Sequence, residues 1–194
     1  MELIKAQDLK FDPRPQMGAI FVEGFYQWLK YFSKDKRKLA SAFSHSFQLD
    51  GFYVALISDE VVAMAGCSNK GGPVLKLEQK QLRKHLGMVS GTLAYLMLKK
   101  GMTKKPYPFA MELGMGSVDF VATAQKYRGQ GIGYRLIGFA MRDAGHIGYV
   151  LEVASNNASA IRLYEKLGFK EFLRVPEKHP KQAGFDEYIY MTKG

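Results

Sequence analysis

A chain of 194 residues has the length of one domain with a sizeable core, and 47% apolar with 24% charged residues excludes a disordered chain. A lone Cys67 excludes a disulfide framework and a cysteine metal site, and the histidines at 45, 85, 146 and 179 lack ligand spacing, so no metal is expected. The net charge of +10 lies in dispersed clusters (Lys34 to Lys38, Lys99 and Lys100 with Lys104 and Lys105, Lys178 with Lys181), which favours solubility or a small polyanionic ligand over a nucleic-acid surface.

In chain order, residues 3 to 8 read as a first strand, with no long apolar tract such as a signal peptide would carry. Asp12-Pro13-Arg14-Pro15 reads as a turn. Phe21, Phe25, Trp28, Leu29 and Phe32 recur at helical spacing, and a shorter helix follows from Lys36 to Phe43. Phe52 to Ile57 and Val61 to Gly66 flank Ser58-Asp59-Glu60 as a hairpin, and Gly71-Gly72-Pro73 ends that unit. Residues 75 to 105 read as helical, and Lys104 to Pro108 as a loop. The most apolar tract, Leu86 to Leu98, is too short and interrupted to cross a membrane, so no membrane partner and a reducing, cytoplasmic location are expected. A strand over residues 112 to 123, a helix carrying Ile132, Leu136, Ile137, Ala140, Met141 and Ala144, a strand from Tyr149 to Val153 and a helix from Ala158 to Leu167 follow. Gly168 stops that helix, and Phe169 to Arg174 and Glu187 to Met191 close the sheet. The strand–helix–strand–helix order is a crossover unit with parallel strands, and the hairpin makes the sheet mixed.

Between the strand ending near Thr123 and the helix beginning near Ile132 stands Tyr127-Arg128-Gly129-Gln130-Gly131-Ile132-Gly133. Glycines on alternate positions uncover backbone N–H groups at a helix N-terminus, where a phosphate is the expected ligand, with Arg128 and Lys126 beside it. A Walker loop is excluded because Tyr134-Arg135 stand where Lys and Ser or Thr are required. A dinucleotide fingerprint would put its third glycine at Tyr134, which leaves Glu152, at the distance of a ribose-binding acid, a coincidence of spacing. The remaining alternative is a tight turn with no ligand.

The turn and the segment after it resemble the GNAT superfamily of N-acetyltransferases. Its Arg/Gln-x-x-Gly-x-Gly/Ala signature matches Arg128, Gly131 and Gly133. Its Asn-x-x-Ala-x-x-Leu-Tyr-x-Lys-x-Gly-Phe pattern matches Asn157, Ala160, Leu163, Tyr164, Lys166, Gly168 and Phe169. The resemblance is close over residues 112 to 174 and holds only in outline before them. It implies one α/β domain of the α+β type over residues 1–194, with parallel strands splayed around the glycine-turn helix and residues 112–174 as the cofactor-binding core. Acetyl-coenzyme A is the implied co-substrate and an amine the implied acceptor. The implied cofactor-binding residues are Val121, Ala122 and Thr123 on the strand; Arg128, Gly129, Gln130, Gly131, Ile132, Gly133 and Tyr134 in the turn; and Asn157 and Tyr164 beyond it. Val121 and Thr123 would bond the pantetheine arm, and the Val121 amide would face the oxyanion.

Two side chains are candidates for proton transfer. Tyr164 would protonate the departing thiolate, or else serve as a core aromatic beside Ala160, Ile161 and Leu167. Asp119, placed by strand alternation on the face of Val121 and Thr123, would accept the amine's proton through a water, or only pair with a basic neighbour. Related enzymes often carry a glutamate two positions earlier, where Ser117 stands; Glu112 is the weaker substitute. Residues 68–111 are a helical insert whose apolar Leu86, Val89, Leu93, Leu96, Met97 and Leu98 would lid the acceptor pocket or bury against a second subunit, making a homodimer. The rival functions are a coenzyme A sensor without turnover and a basic nucleic-acid or ribosome-associated protein.

Overall fold

In the computed structural model, which describes residues 1–69, 73–103 and 107–194, seven strands form one mixed sheet. The first elements are β1 (Glu2–Lys5), α1 (Arg14–Leu29), α2 (Lys36–Ser44), β2 (Phe52–Ile57) and β3 (Glu60–Asn69). Next come α3 (Gln79–Leu86), α4 (Met88–Thr103), β4 (Met115–Thr123), α5 (Ile132–Ala144), β5 (Gly148–Ala154) and α6 (Ala158–Lys166). The chain ends with β6 (Lys170–Pro176), a single helical turn α7 (Pro180–Ala183) and β7 (Glu187–Lys193). The sheet order is β1-β2-β3-β4-β5-β7-β6. Every neighbouring pair is antiparallel except β4 with β5, the pair joined by the crossover helix α5.

Strand alternation divides the core into two layers. Phe52, Val54 and Leu56 of β2 pack with α1, α2 and α3 on one face, while Tyr53 and Ala55 pack with α5 on the other. The first layer is aromatic: Phe21 lies 5.6 Å from both Phe43 and Phe47 and 6.2 Å from Phe120. Phe21, Phe43 and Phe47 are fully buried and each contributes about 1.5–3 kcal/mol, so α1 is fixed over β3 and β4 by its side chains far more than by propensity. The second layer joins Leu136, Ile137 and Ala140 of α5 to Leu151 and Val153 of β5 and to Tyr164 of α6.

Several boundaries differ from the sequence reading. The first strand ends at Lys5 and passes into a 3₁₀ turn, and β4 begins at Met115, three residues later than expected. The insert is not continuously helical from residue 75: Leu75 bridges Phe47, α3 begins at Gln79, and Gly87 at φ 87° breaks the chain before α4. Ser68 belongs to β3. The expected turn at Gly71-Gly72 and loop at Lys104 to Pro106 lie outside the described residues. Leu86 at the end of α3 packs against the α1 layer; on α4, Ala94 is buried and Tyr95 and Leu98 pack against that layer, but Val89, Leu93, Leu96 and Met97 are exposed.

Candidate functional site

The parallel pairing of β4 with β5 runs from Met115 with Gly148 to Ser117 with Val150 and then stops. Beyond that point β4 continues against β3 as far as Thr123, and β5 against β7 as far as Ala154. The two strands therefore open into a wedge. Its edges present main-chain groups to whatever extended ligand lies between them.

A β-bulge shapes the β4 wall. The β3 register passes from Met64 with Ala122 to Gly66 with Asp119, so Phe120 and Val121 together oppose one residue. Phe120 takes φ 50°, a conformation costing on the order of 1–3 kcal/mol for a bulky side chain. Its ring holds the strain in place, 6.1 Å from Phe25 and 6.2 Å from Phe21. The bulge also overturns simple alternation. Val118 and Val121 pack in the α5 layer, Phe120 and Ala122 in the α1 layer. Asp119, between Val118 and the bulge, therefore points to the α1 face and does not share a face with Val121 and Thr123. Its carboxylate accepts a hydrogen bond from Ser117 Oγ, which also lies 2.7 Å from Ser68 Oγ.

Above the wedge, Gly129 (φ 77°) and Gly131 (φ 72°) are both left-handed, and Gly131 caps α5. A Cβ built on either would meet nothing within 4 Å, so the outer side of the turn is open to a ligand. Ile132 is buried under the turn, and Gly133 lies on the inner side, where a Cβ would touch Leu163 and Thr123 at 3.6 Å. Gln130, Gly131 and Tyr134 line a groove of about 590 Å³ that continues along Arg135, Ser159, Arg162, Leu163 and Lys166. Three cations lining the groove from α5 and α6, beside helix N-terminal donors, suit a polyanion such as the phosphates of coenzyme A. The sequence reading missed Arg135 and Arg162, although Arg162 and Lys166 stand four apart on one helix face.

Two expected cofactor residues have structural employment. Arg128 turns back and donates from Nε to the Thr123 carbonyl at 3.0 Å, stapling the turn to the strand. Asn157 caps α6, its Oδ1 accepting from the Ala160 N–H at 3.3 Å.

Tyr164 is buried in the α5 layer, and burial together with the charge of Asp119 raises its phenol above the ordinary 10.0. It therefore carries its proton throughout the physiological range. Burial, with Asp119 adding to it, also pushes the Cys67 thiol up to about 12, which makes that thiol a poor nucleophile.

On the α1 face of the wedge lies a cluster the sequence did not announce. Tyr107 shares a hydrogen bond with the Ser117 side chain and is raised above its usual value by burial and by Asp119. Its ring lies 6.1 Å from Tyr190 of β7, which pairs with Glu152 of β5 both in register and through a side-chain hydrogen bond. Tyr107, near the end of the 68–111 insert, thus borders the wedge. Glu112 lies elsewhere, in a cavity of about 360 Å³ with Met111, Met115 and Phe172. Among the described residues no three His, Cys, Asp or Glu side chains gather as a metal site requires, and no helix is long and apolar enough to cross a membrane.

Residues 15–169 match the acetyltransferase (GNAT) family. A segment of 72 residues is 38% identical to an uncharacterized protein of Mycobacterium leprae (strain TN), covering 37% of this chain and 20% of that protein's length. An N-acetyltransferase from Staphylococcus aureus Mu50 superposes over 100% of both chains with a TM-score of 0.65 at 14% identity. A ribosomal-protein-alanine N-acetyltransferase from Brucella melitensis gives 0.57 at 17% identity, over 100% of this chain and 99% of its own. At these identities the structural likeness speaks to the fold alone.

Proposed function

The chain belongs to the acetyltransferase (GNAT) family, and from that premise we propose that it transfers an acetyl group from acetyl-coenzyme A to a primary amine by direct attack. The observation that carries the reading is the alignment of an open glycine turn and a cationic groove with the wedge between β4 and β5. When bound, the thioester supplies an acyl carbon activated toward amines. The amides of Gln130, Gly131, Gly133 and Tyr134 hold the pyrophosphate, with Arg135, Arg162 and Lys166 neutralising the remaining phosphate charge. The wedge edge at Val121 and Thr123 holds the pantetheine arm, and the Val121 N–H, at the bulge, donates to the acyl oxygen.

An alkyl ammonium, with a pKa of about 10.4, is inert until it loses a proton. Asp119, on the α1 face, accepts that proton directly or through a water, and Tyr164, on the opposite side of the wedge, gives one to sulfur. Two carriers on opposite faces suit a reaction in which acceptor and thiol lie on either side of the sheet.

The test is an amine panel with acetyl-coenzyme A, reading free thiol and acetylated product together. Thiol and product appearing in equal amounts support acetyl transfer. Stabilisation by coenzyme A without thiol release from any amine overturns it in favour of a sensor. Strongly salt-dependent RNA binding with no response to coenzyme A overturns both.

A further inference from the structure

Ser117 and Val150 are the last parallel pair of the wedge. Two residues farther along each strand stand Asp119 on β4 and Glu152 on β5, equivalent steps on the two walls. Asp119 points to the α1 face, as the bulge requires. Glu152 does the same: its neighbours Leu151 and Val153 pack in the α5 layer, and its own partner is the Tyr190 hydroxyl. The two carboxylates therefore flank the wedge on the side opposite α5 and α6. Tyr107 and Tyr188 also lie within electrostatic reach of Glu152, so three phenols share its neighbourhood.

Charge is divided across the sheet. The groove at α5 and α6 gathers Arg135, Arg162 and Lys166, whereas the α1 face of the wedge gathers Asp119 and Glu152 in a chain whose net charge is +10. A basic half suits a polyanionic co-substrate. An acidic half framed by tyrosines suits a cation, through charge-assisted hydrogen bonds and ring faces.

We propose that Glu152 binds the acceptor, and that the acceptor is an alkyl ammonium of the lysine-side-chain or diamine type, held across the wedge between Glu152 and Asp119. This rests on the acetyl-transfer reading for the position of the reacting carbon, but its test does not. Such an amine carries positive charge on a flexible alkyl chain able to reach both carboxylates, whereas the ammonium of a short peptide stands beside its own peptide group and brings a carboxylate that the acidic pair repels. The selected class is thus flexible aliphatic amines over peptide N-termini and over uncharged alcohols of the same length.

The experiment titrates 1,5-diaminopentane, the dipeptide Ala-Ala and 1-pentanol into the wild-type coenzyme A complex by calorimetry. Diaminopentane is expected to bind at least about tenfold more tightly than the other two, the worth of a hydrogen bond to a charged group. Glu152→Gln should lose about tenfold in diaminopentane affinity, Glu152→Asp should recover part of it, and coenzyme A affinity should stay within about twofold in both. Equal binding of diaminopentane and pentanol by the wild type overturns the proposal, and needs no variant to fold. So does a folded Glu152→Gln protein with wild-type diamine affinity, or tighter binding of the dipeptide. Glu152-dependent diamine binding without any thiol release leaves this proposal standing and removes acetyl transfer instead.

Discussion

Tyr164 on α6 lies within electrostatic reach of Asp119 on β4, although the two approach the wedge from opposite faces of the sheet. Burial first, and then the carboxylate's charge, hold the phenol protonated. A phenol that cannot ionise at neutral pH is suited to give up a proton only when a thiolate develops beside it, as the proposed transfer requires. Tyr164→Phe keeps the ring in its place, 6.0 Å from Phe169. Turnover is expected to fall about 10²- to 10⁴-fold with coenzyme A affinity little changed. Steady-state kinetics beside a binding titration check this; wild-type turnover would leave Tyr164 as a core aromatic.

The glycine turn separates two ways of losing the cofactor. Gly131 is left-handed, so valine there is strained as well as bulky, whereas asparagine tolerates that conformation. Gly131→Val is expected to abolish stabilisation by coenzyme A. Gly131→Asn should keep the cap of α5 while its side chain crowds the open side of the turn, giving a folded protein with weakened binding. Melting temperatures with and without coenzyme A read both. Full coenzyme A stabilisation in folded Gly131→Val would make the turn purely structural.

Arg162 and Lys166 carry a different signature. They are groove cations on a folded helix, so Arg162→Gln with Lys166→Gln should preserve the fold and weaken coenzyme A binding at low salt by about tenfold. The deficit should shrink as salt rises, because screening removes from the wild type what the substitutions have already removed. A deficit independent of salt would assign the loss to packing.

How far the site was legible follows from which features are local. The glycine turn, α5 and α6 were readable because each is set by neighbours in sequence: alternate glycines, helical apolar spacing, a stop at Gly168. The wedge was readable only through resemblance, since nothing in residues 118–123 says that a parallel partner will diverge. The face of Asp119 was misread because counting by twos assumes an unbroken pleat, and one residue at φ 50° breaks it. Glu152 was set aside because its spacing was weighed against a dinucleotide fold; its relation to Asp119 depends on register across two strands, which no single segment carries. Which residues of α4 turn inward was not legible, because an apolar tract does not state it: Ala94 does, and Met97 does not.

Acid should loosen the joint between α2 and α3. His45 follows α2, and its Nε2 accepts the Glu78 N–H at 2.9 Å at the start of α3, a role open only to the neutral ring. Burial lowers its pKa from 6.5. A base depressed in the folded state adds stability that is fully present above the unfolded value and is lost as pH falls through the folded one. Melting temperature should therefore decline as pH drops below about 6.5, and more steeply than in His45→Gln, whose amide oxygen can take the same N–H without titrating. Parallel pH profiles for the two proteins would show that this joint does not report protonation.

The acceptor side gives the last contrast, between Tyr107 and Met97. The insert's apolar helix shares the α1 face of the sheet, yet Met97 is exposed, while Tyr107 joins Ser117, Asp119 and Tyr190 at the wedge. Removing the Tyr107 ring should therefore disturb acceptor binding, and removing the Met97 side chain should not. Tyr107→Ala is expected to raise the acceptor KM about tenfold, with coenzyme A affinity within about twofold. Tyr107→Phe, which keeps the contacts to Phe109 at 5.1 Å and to Tyr190, should show a smaller rise from loss of the Ser117 hydrogen bond alone. Met97→Ala should leave both constants unchanged. A larger acceptor shift in Met97→Ala than in Tyr107→Ala would return the acceptor pocket to α4, and would mean that α4 closes over the wedge when substrates bind.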